Sequence, residues 1–585
     1  MDGPQSILLA ALEARKATFG GDAAGRKLEL LEGLEVARLG TARQVRRLHE
    51  ALCFLRAYPD DKAVLGQVEK MLAGFDKRSD LRRHRKKLAN SGIAGTPIHI
   101  PFFAETAIWL AERWGDRLSI DWREIKEPDD LESYLERFAL FSETPGLDEL
   151  SLSVREWIEH MKGASETDAA FLVRRFRALR LDARLHEMLF DALDPPFILS
   201  PGPDTPARTR LKFRQATVHW QTGPLQRERP SLTEELKRPP LSVRAATRAE
   251  ARELIHLARS MMVGMDRDLD AFSYASDVDV RLVDCGLNLV FAFIGLMPDR
   301  RLMFEALYGF VVLKNGVPLG YGTVATLFGS SELAYNISET FRGGEGAHAF
   351  GRLMACARHL FGSDSFSLAP YQIGEDNPEA VKSGAWWFYQ KLGFRARDAG
   401  VLRLMRRELR LTRTRPSHRS TARTLKELAR QPVFFHAAEK RDDVLGILPL
   451  GNVGLHVTRF LAERYGSDRE RAERELAARA ARLLGLRSLD RLPAGERLAW
   501  RRWAPFICSL PGIERWNAAD RASLAAVVRA KGGVRESDFV SRFDRHRRLR
   551  QAVRQLAERA TLRRRRRGPL ARLGGRTRAG AHQGR

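Results

Sequence analysis

An arginine, a glutamate and three glycines crowd into the run Phe341-Arg342-Gly343-Gly344-Glu345-Gly346-Ala347-His348. Beyond it Ala347, Phe350, Leu353, Met354, Ala357 and Leu360 recur at helical spacing, so a glycine turn opens an amphipathic helix. Glycines at such a place let backbone amides come close to a ligand. The N-terminus of the helix favours an anionic group there, a diphosphate for example. His348 falls in the first turn of the helix, where it is expected to face solvent.

The elements that must position this turn lie between residues 241 and 410. Residues 241–246 read as a strand, and Thr247 with Glu250 forms a capping box ahead of a helix. Residues 310–328 read as a hairpin, because Asn315-Gly316 supplies the positive φ angles of a type I′ turn between apolar strands. A strand over 333–341 leads into the glycine turn, and another over 365–373 follows the helix. Residues 379–392 read as one helix carrying Trp386, Trp387 and Tyr389, stopped by Gly393, with Phe394 starting an extended run. This order implies an α+β fold, a mixed sheet with helices on it.

The phrase Phe388-Tyr389-Gln390-Lys391-Leu392-Gly393-Phe394 resembles the end of the GNAT superfamily of N-acetyltransferases, where a helix closes on a Tyr-x-Lys-Leu-Gly-Phe-like phrase. The resemblance covers about residues 241–410, with an insertion expected at about 265–307. It implies acetyl-CoA, or another acyl-CoA, as co-substrate. The diphosphate would be held by Arg342, Gly343, Gly344, Gly346 and Ala347, with Asn377 as a further contact. It also puts Tyr389 at the place of a tyrosine general acid. A phenol with a pKa of about 10 is protonated at neutral pH and can give its proton to a thiolate. Glu339, on the strand before the turn, and Glu332, just ahead of that strand, are the carboxylates expected to take the amine proton. The chain departs from the family pattern in two places. Glu345 or Phe341, depending on register, stands where a glycine or an Arg/Gln belongs, and Lys382 stands where an Asn is common. A carboxylate about 6 Å from a diphosphate costs roughly 3 kcal/mol at an effective dielectric near 20. Weak CoA binding, tightened by Glu345→Gln, is therefore expected.

The flanks read as helical: residues 1–194 before a Pro-rich connector at 195–240, and 411–550 before a basic, disordered tail at 551–585. Trp220 in the connector is expected to dock on a surface. The basic patch at 77–87 reads as an exposed helix face. Residues 541–585 hold sixteen arginines against two acids, more than half of the net +26. That balance points to nucleic acid as a partner for the tail. The four cysteines have no CxxC spacing, which argues against a zinc ribbon or a disulfide framework and suits the cytoplasm. Asp266, Asp268 and Asp270 lack the glycine and distal glutamate of a calcium loop. The longest apolar stretch, 289–297, is too short to span a bilayer and reads as a buried element. The expected function is acyl-CoA-dependent transfer to the amine of a small molecule or a protein. A second reading is a GNAT-shaped scaffold that binds without catalysing, with the tail on nucleic acid.

Overall fold

Asn315 and Gly316 take φ of 50° and 78°, and strands Ala306–Lys314 and Val317–Leu327 run back from them as the expected hairpin. In the computed structural model, which describes residues 3–125, 128–558 and 577–579, this hairpin is the middle of a nine-stranded mixed sheet. On one side lie Leu289–Leu296, Ala275–Asp284 and Ser242–Ala245. On the other lie Ser330–Ile337, Ser365–Leu368, Val433–His436 and Arg395–Ala396. Neighbours are antiparallel except Ser330–Ile337 and Ser365–Leu368, which run parallel. Parallel neighbours need a crossover, and the helix Gly346–Phe361 supplies it.

Both faces of the sheet are covered. Phe291, Phe293, Tyr308 and Phe310 pack with Phe350, Leu353 and Met354 of the crossover helix. Ala292, Ile294, Leu307 and Val311 pack with Leu254, Ala258 and Met261 of the helix Arg248–Gly264, which starts at the Thr247–Glu250 capping box. This corrects the insertion expected at 265–307: it contains two strands of the sheet. Leu289–Leu296 is apolar on both faces because both are buried, so it lacks the alternation that marks a half-exposed strand.

The unit also reaches beyond residue 410, since Val433–His436 lies between Ser365–Leu368 and Arg395–Ala396. The N-terminal region is mostly helical, but it includes a small antiparallel sheet of Ile98–Pro101, Pro196–Leu199 and Leu118–Ile120. Its helix Ala42–Ala57 places Phe54, with Tyr58 just beyond, in the same core as Phe341. The Pro-rich segment wraps the molecule through buried Leu211, Phe213, Leu225 and Leu232, while Trp220 stays 37% exposed.

The C-terminal region is helical around Trp500 and Trp503. Its last helix, Arg547–Glu558, corrects the start of the expected tail: Leu549, Val553, Leu556 and Ala557 are buried, and Arg550 pairs with Asp443 at 2.6 Å. Thr577–Ala579 also departs from the expected disorder, since it pairs antiparallel with Arg267–Leu269; residues 559–576 and 580–585 of that tail lie outside the described residues. Among the described residues no helix is long and apolar enough to cross a membrane.

Candidate functional site

The two parallel strands pair only over Ser330–Glu332 and Ser365–Ser367. Beyond this register Ser330–Ile337 continues straight, while the other strand ends at Leu368 and turns into a short helix, Pro370–Ile373. The strands therefore part, and the edge of the longer one is released. Gln372 crosses the gap: its amide donates to the Tyr335 carbonyl at 2.7 Å and to the Tyr389 hydroxyl at 3.0 Å. A cleft of about 710 Å³ opens here.

One wall of the cleft is the glycine turn. After Ile337 a single 3₁₀ turn, Glu339–Phe341, reverses the chain. The Gly344 amide donates to the Phe341 carbonyl at 3.0 Å, and Gly343 takes φ +83°, a conformation glycine adopts without strain. A Cβ on Gly344 would sit 3.1 Å from the Phe341 carbonyl oxygen. The helix then starts at Gly346 with no side-chain cap on its first amides. Tyr335, below, donates its hydroxyl to the Gly346 carbonyl at 2.8 Å. An uncapped N-terminus with glycine at its approach can offer backbone N–H groups to an anion.

The turn is braced from behind. Thr340 donates its hydroxyl to Glu50, and Arg208 donates to Glu50 at 2.6 Å and to Thr340 at 2.8 Å. Burial alone would raise the Glu50 carboxyl, but Arg208 and His49 outweigh it and hold it down at about 2.

The structure brings most of the expected site residues together. Arg342, Gly343, Gly344, Gly346, Ala347, Asn377 and Tyr389 all line the cleft. Tyr389 is buried, and that burial pushes its phenol well above the ordinary value. Asn377 caps the helix Pro378–Ser383 by accepting the Ala380 amide at 3.0 Å and donates to the Tyr371 carbonyl at 3.1 Å. The expected helix 379–392 is two, Pro378–Ser383 and Ala385–Lys391, hinged at Gly384 with φ +69°. The hinge turns Trp387, Phe388 and Tyr389 toward the gap, where they form the second wall.

Three residues lie elsewhere. Glu339 is in the 3₁₀ turn rather than on the strand, three-quarters exposed and paired with Arg46 at 3.2 Å. Glu332 sits at the closed end, where the strands still pair, and does not line the cleft. Glu345 is buried beneath the turn: its carboxylate accepts the Gln226 amide at 3.1 Å and lies 3.7 Å from Lys314. The expected repulsion of an anion therefore does not apply, since Glu345 points away from the cleft and is matched by a cation. His348 is partly buried, not solvent-facing, and burial lowers its pKa.

Four lining residues carry positive charge, Arg227, Arg229, Arg342 and Lys391, against the carboxylate of Glu379. Glu379 pairs with Arg342 and, at 3.2 Å, with Arg267. Burial would raise its carboxyl, but the two guanidinium groups outweigh that and hold it below the ordinary value. Sequence reading missed Arg227, Arg229, Gln372 and Tyr335. The two arginines carry one local signal, their spacing of two residues between Pro224 and Pro230. No protein-family model matches the chain, and neither a curated protein nor a solved structure matches it.

Proposed function

We propose that the sheet from Ser242 to His436 is a GNAT-like N-acyltransferase domain that moves an acyl group from acyl-CoA to an amine. The observation that carries this reading is the parting of the one parallel strand pair onto an uncapped, glycine-approached helix N-terminus, with a buried tyrosine inside the gap. The cleft volume falls in the range of small-molecule sites. The resemblance of residues 388–394 to the GNAT closing phrase supports the same reading independently.

Acyl-CoA would supply the thioester to be cleaved. The amides of Gly346 and Ala347 fit its diphosphate, since no side chain caps them and the Gly344 amide is already spent on the Phe341 carbonyl. Trp387 and Phe388 supply the apolar wall along the pantetheine arm. Tyr389 keeps its proton through the neutral range and holds it at the inner end of the cleft, ready for the departing thiolate. Gln372 donates to the phenol oxygen at 3.0 Å, and the hydroxyl itself donates to the Tyr335 carbonyl at 3.5 Å, a long bond from which its hydrogen must turn to reach the thiolate. The carboxylate lining the cleft, Glu379, is held ionised by two arginines and is a weak base, so the acceptor amine must arrive neutral or lose its proton to water. The products are an amide and free CoA thiol.

The test is release of CoA thiol from acetyl-CoA by the full chain, against a panel of polyamines, amino sugars, amino acids and peptides with free N-termini or lysines. Amine-dependent release that falls about a hundredfold in Tyr389→Phe supports the proposal. Release with no amine dependence removes catalysis from the domain and leaves the scaffold reading; amine-dependent release unchanged in that variant removes Tyr389 from the mechanism.

A further inference from the structure

The segment 224–230, read from sequence as part of a connector, lies against the glycine turn. Leu225 is buried, the Arg227 amide donates to the Leu225 carbonyl at 2.9 Å, and the Gln226 amide is tied to the Glu345 carboxylate. Glu345 itself is the residue from which the site helix starts. The strap is thus fastened directly to the anion-binding turn, by the one residue of the turn that looked out of place.

Arg227 and Arg229 project from this strap into the cleft, while Glu228 between them does not line it. The chain bends at Glu228, so the two arginines flank the bend and both reach the cleft. Neither arginine has an ion-pair partner among the described residues. Arg342, by contrast, is matched by Glu379. The rim of the cleft therefore carries two unneutralised guanidinium groups beside amides that already suit a diphosphate.

CoA has one more anionic group than its diphosphate, the 3′-phosphomonoester on the ribose. A phosphomonoester with a second pKa near 6 is close to a dianion at neutral pH. Two guanidinium groups match that charge, and each can bind phosphate oxygens through two N–H donors. We propose that Arg227 and Arg229 clamp the 3′-phosphate of CoA and so select CoA over forms that lack it. This inference rests on the acyl-CoA reading of the cleft. It adds a recognition element from outside the sheet, carried by the Pro-rich strap and positioned by Glu345.

The test is calorimetric titration of CoA and of 3′-dephospho-CoA into the full chain and into the double variant Arg227→Ala/Arg229→Ala. The wild type is expected to prefer CoA by about ten- to a hundredfold, more strongly at low salt, because the arginines are exposed and screened. The double variant should lose that preference while its affinity for dephospho-CoA changes by less than about twofold. Its melting temperature should match the wild type, since neither side chain is buried. Equal wild-type affinity for the two ligands, or a preference that survives in the double variant, overturns the clamp while leaving the acyl-CoA reading intact. If the wild type binds neither ligand, that underlying reading fails and the clamp falls with it.

Discussion

The Gln226 amide donates to the Glu345 carboxylate at 3.1 Å, which fastens the Pro-rich strap to the start of the site helix. The other Glu345 oxygen faces Lys314, whose side chain is 2% exposed and also donates to the Leu287 carbonyl at 2.9 Å. Burial lowers the Lys314 pKa, and Glu345 acts to restore it. Glu345→Gln should therefore destabilise the fold by about 3 kcal/mol, because it leaves a buried ammonium without its counter-charge. It should leave CoA binding unchanged or weaker. Urea unfolding and CoA titration check this; tighter CoA binding in the variant would put the carboxylate back in the cleft.

Tyr389→Phe should retain acyl-CoA affinity within a few-fold and lose turnover by about a hundredfold, since only the proton donor goes. Burial raises the phenol pKa, so its proton stays on through the neutral range. The wild-type rate should consequently show no alkaline fall from this group below about pH 9. Gln372→Ala, which removes the donor to the phenol oxygen, should lower turnover by about tenfold with the same affinity. A pH–rate profile that falls through pH 7 to 8 would contradict the assignment.

The brace at Glu50 has a pH signature. Its carboxyl is held at about 2 in the folded chain against an ordinary 4.5. A folded-state pKa below the unfolded one gives stability that is present above about pH 4.5 and lost as pH falls toward 2. The loss at the acid end is about 3 kcal/mol. The difference in melting temperature between wild type and Glu50→Gln should be largest near neutral pH and shrink steadily between pH 4.5 and 2.5. A difference independent of pH would mean that Glu50 is not ionised in the fold.

Local chemistry in the sequence located what local chemistry determines. Asn315-Gly316 fixed the hairpin, Thr247 with Glu250 started a helix, and the glycines before Ala347 marked the turn that lines the cleft. What stayed hidden depends on distant partners. Leu289–Leu296 reads as a core element of any kind because both its faces are covered. Val433–His436 joins the sheet beside Arg395–Ala396 across nearly forty intervening residues, and four residues carry no record of such pairing. Gly384 lies inside a helical pattern that continues on both sides, so only its positive φ reveals the hinge. Arg227 and Arg229 look like linker residues until Glu345 ties their strap down. Glu332 and Glu339 lie close in sequence to the turn, but the parting of the strands and the 3₁₀ reversal leave them outside the cleft.

The same contrast appears at the C-terminus. The count of arginines masks the spacing of Leu549, Val553 and Leu556, which buries one face of the last helix. Leu556→Ala should cost about 2 to 4 kcal/mol, as for other buried leucines. Deletion of residues 561–585 should leave the melting temperature nearly unchanged and weaken retention on nucleic acid at low salt. A stable Leu556→Ala variant, or a deletion that unfolds the chain, would reverse this division.

The central claim is that acyl-CoA occupies the gap between the parted strands, with its diphosphate on the amides of the glycine turn. Hydrogen–deuterium exchange of the full chain with and without about 1 mM acetyl-CoA, at the upper end of ordinary enzyme affinities, tests it most directly. The account predicts slowed exchange in peptides covering 338–349, 224–229 and 385–391. The slowing should disappear in Gly344→Val, whose β-branched side chain would press on the Phe341 carbonyl and distort the turn that presents the amides. Unchanged exchange in the wild type, or protection confined to other parts of the chain, would contradict it.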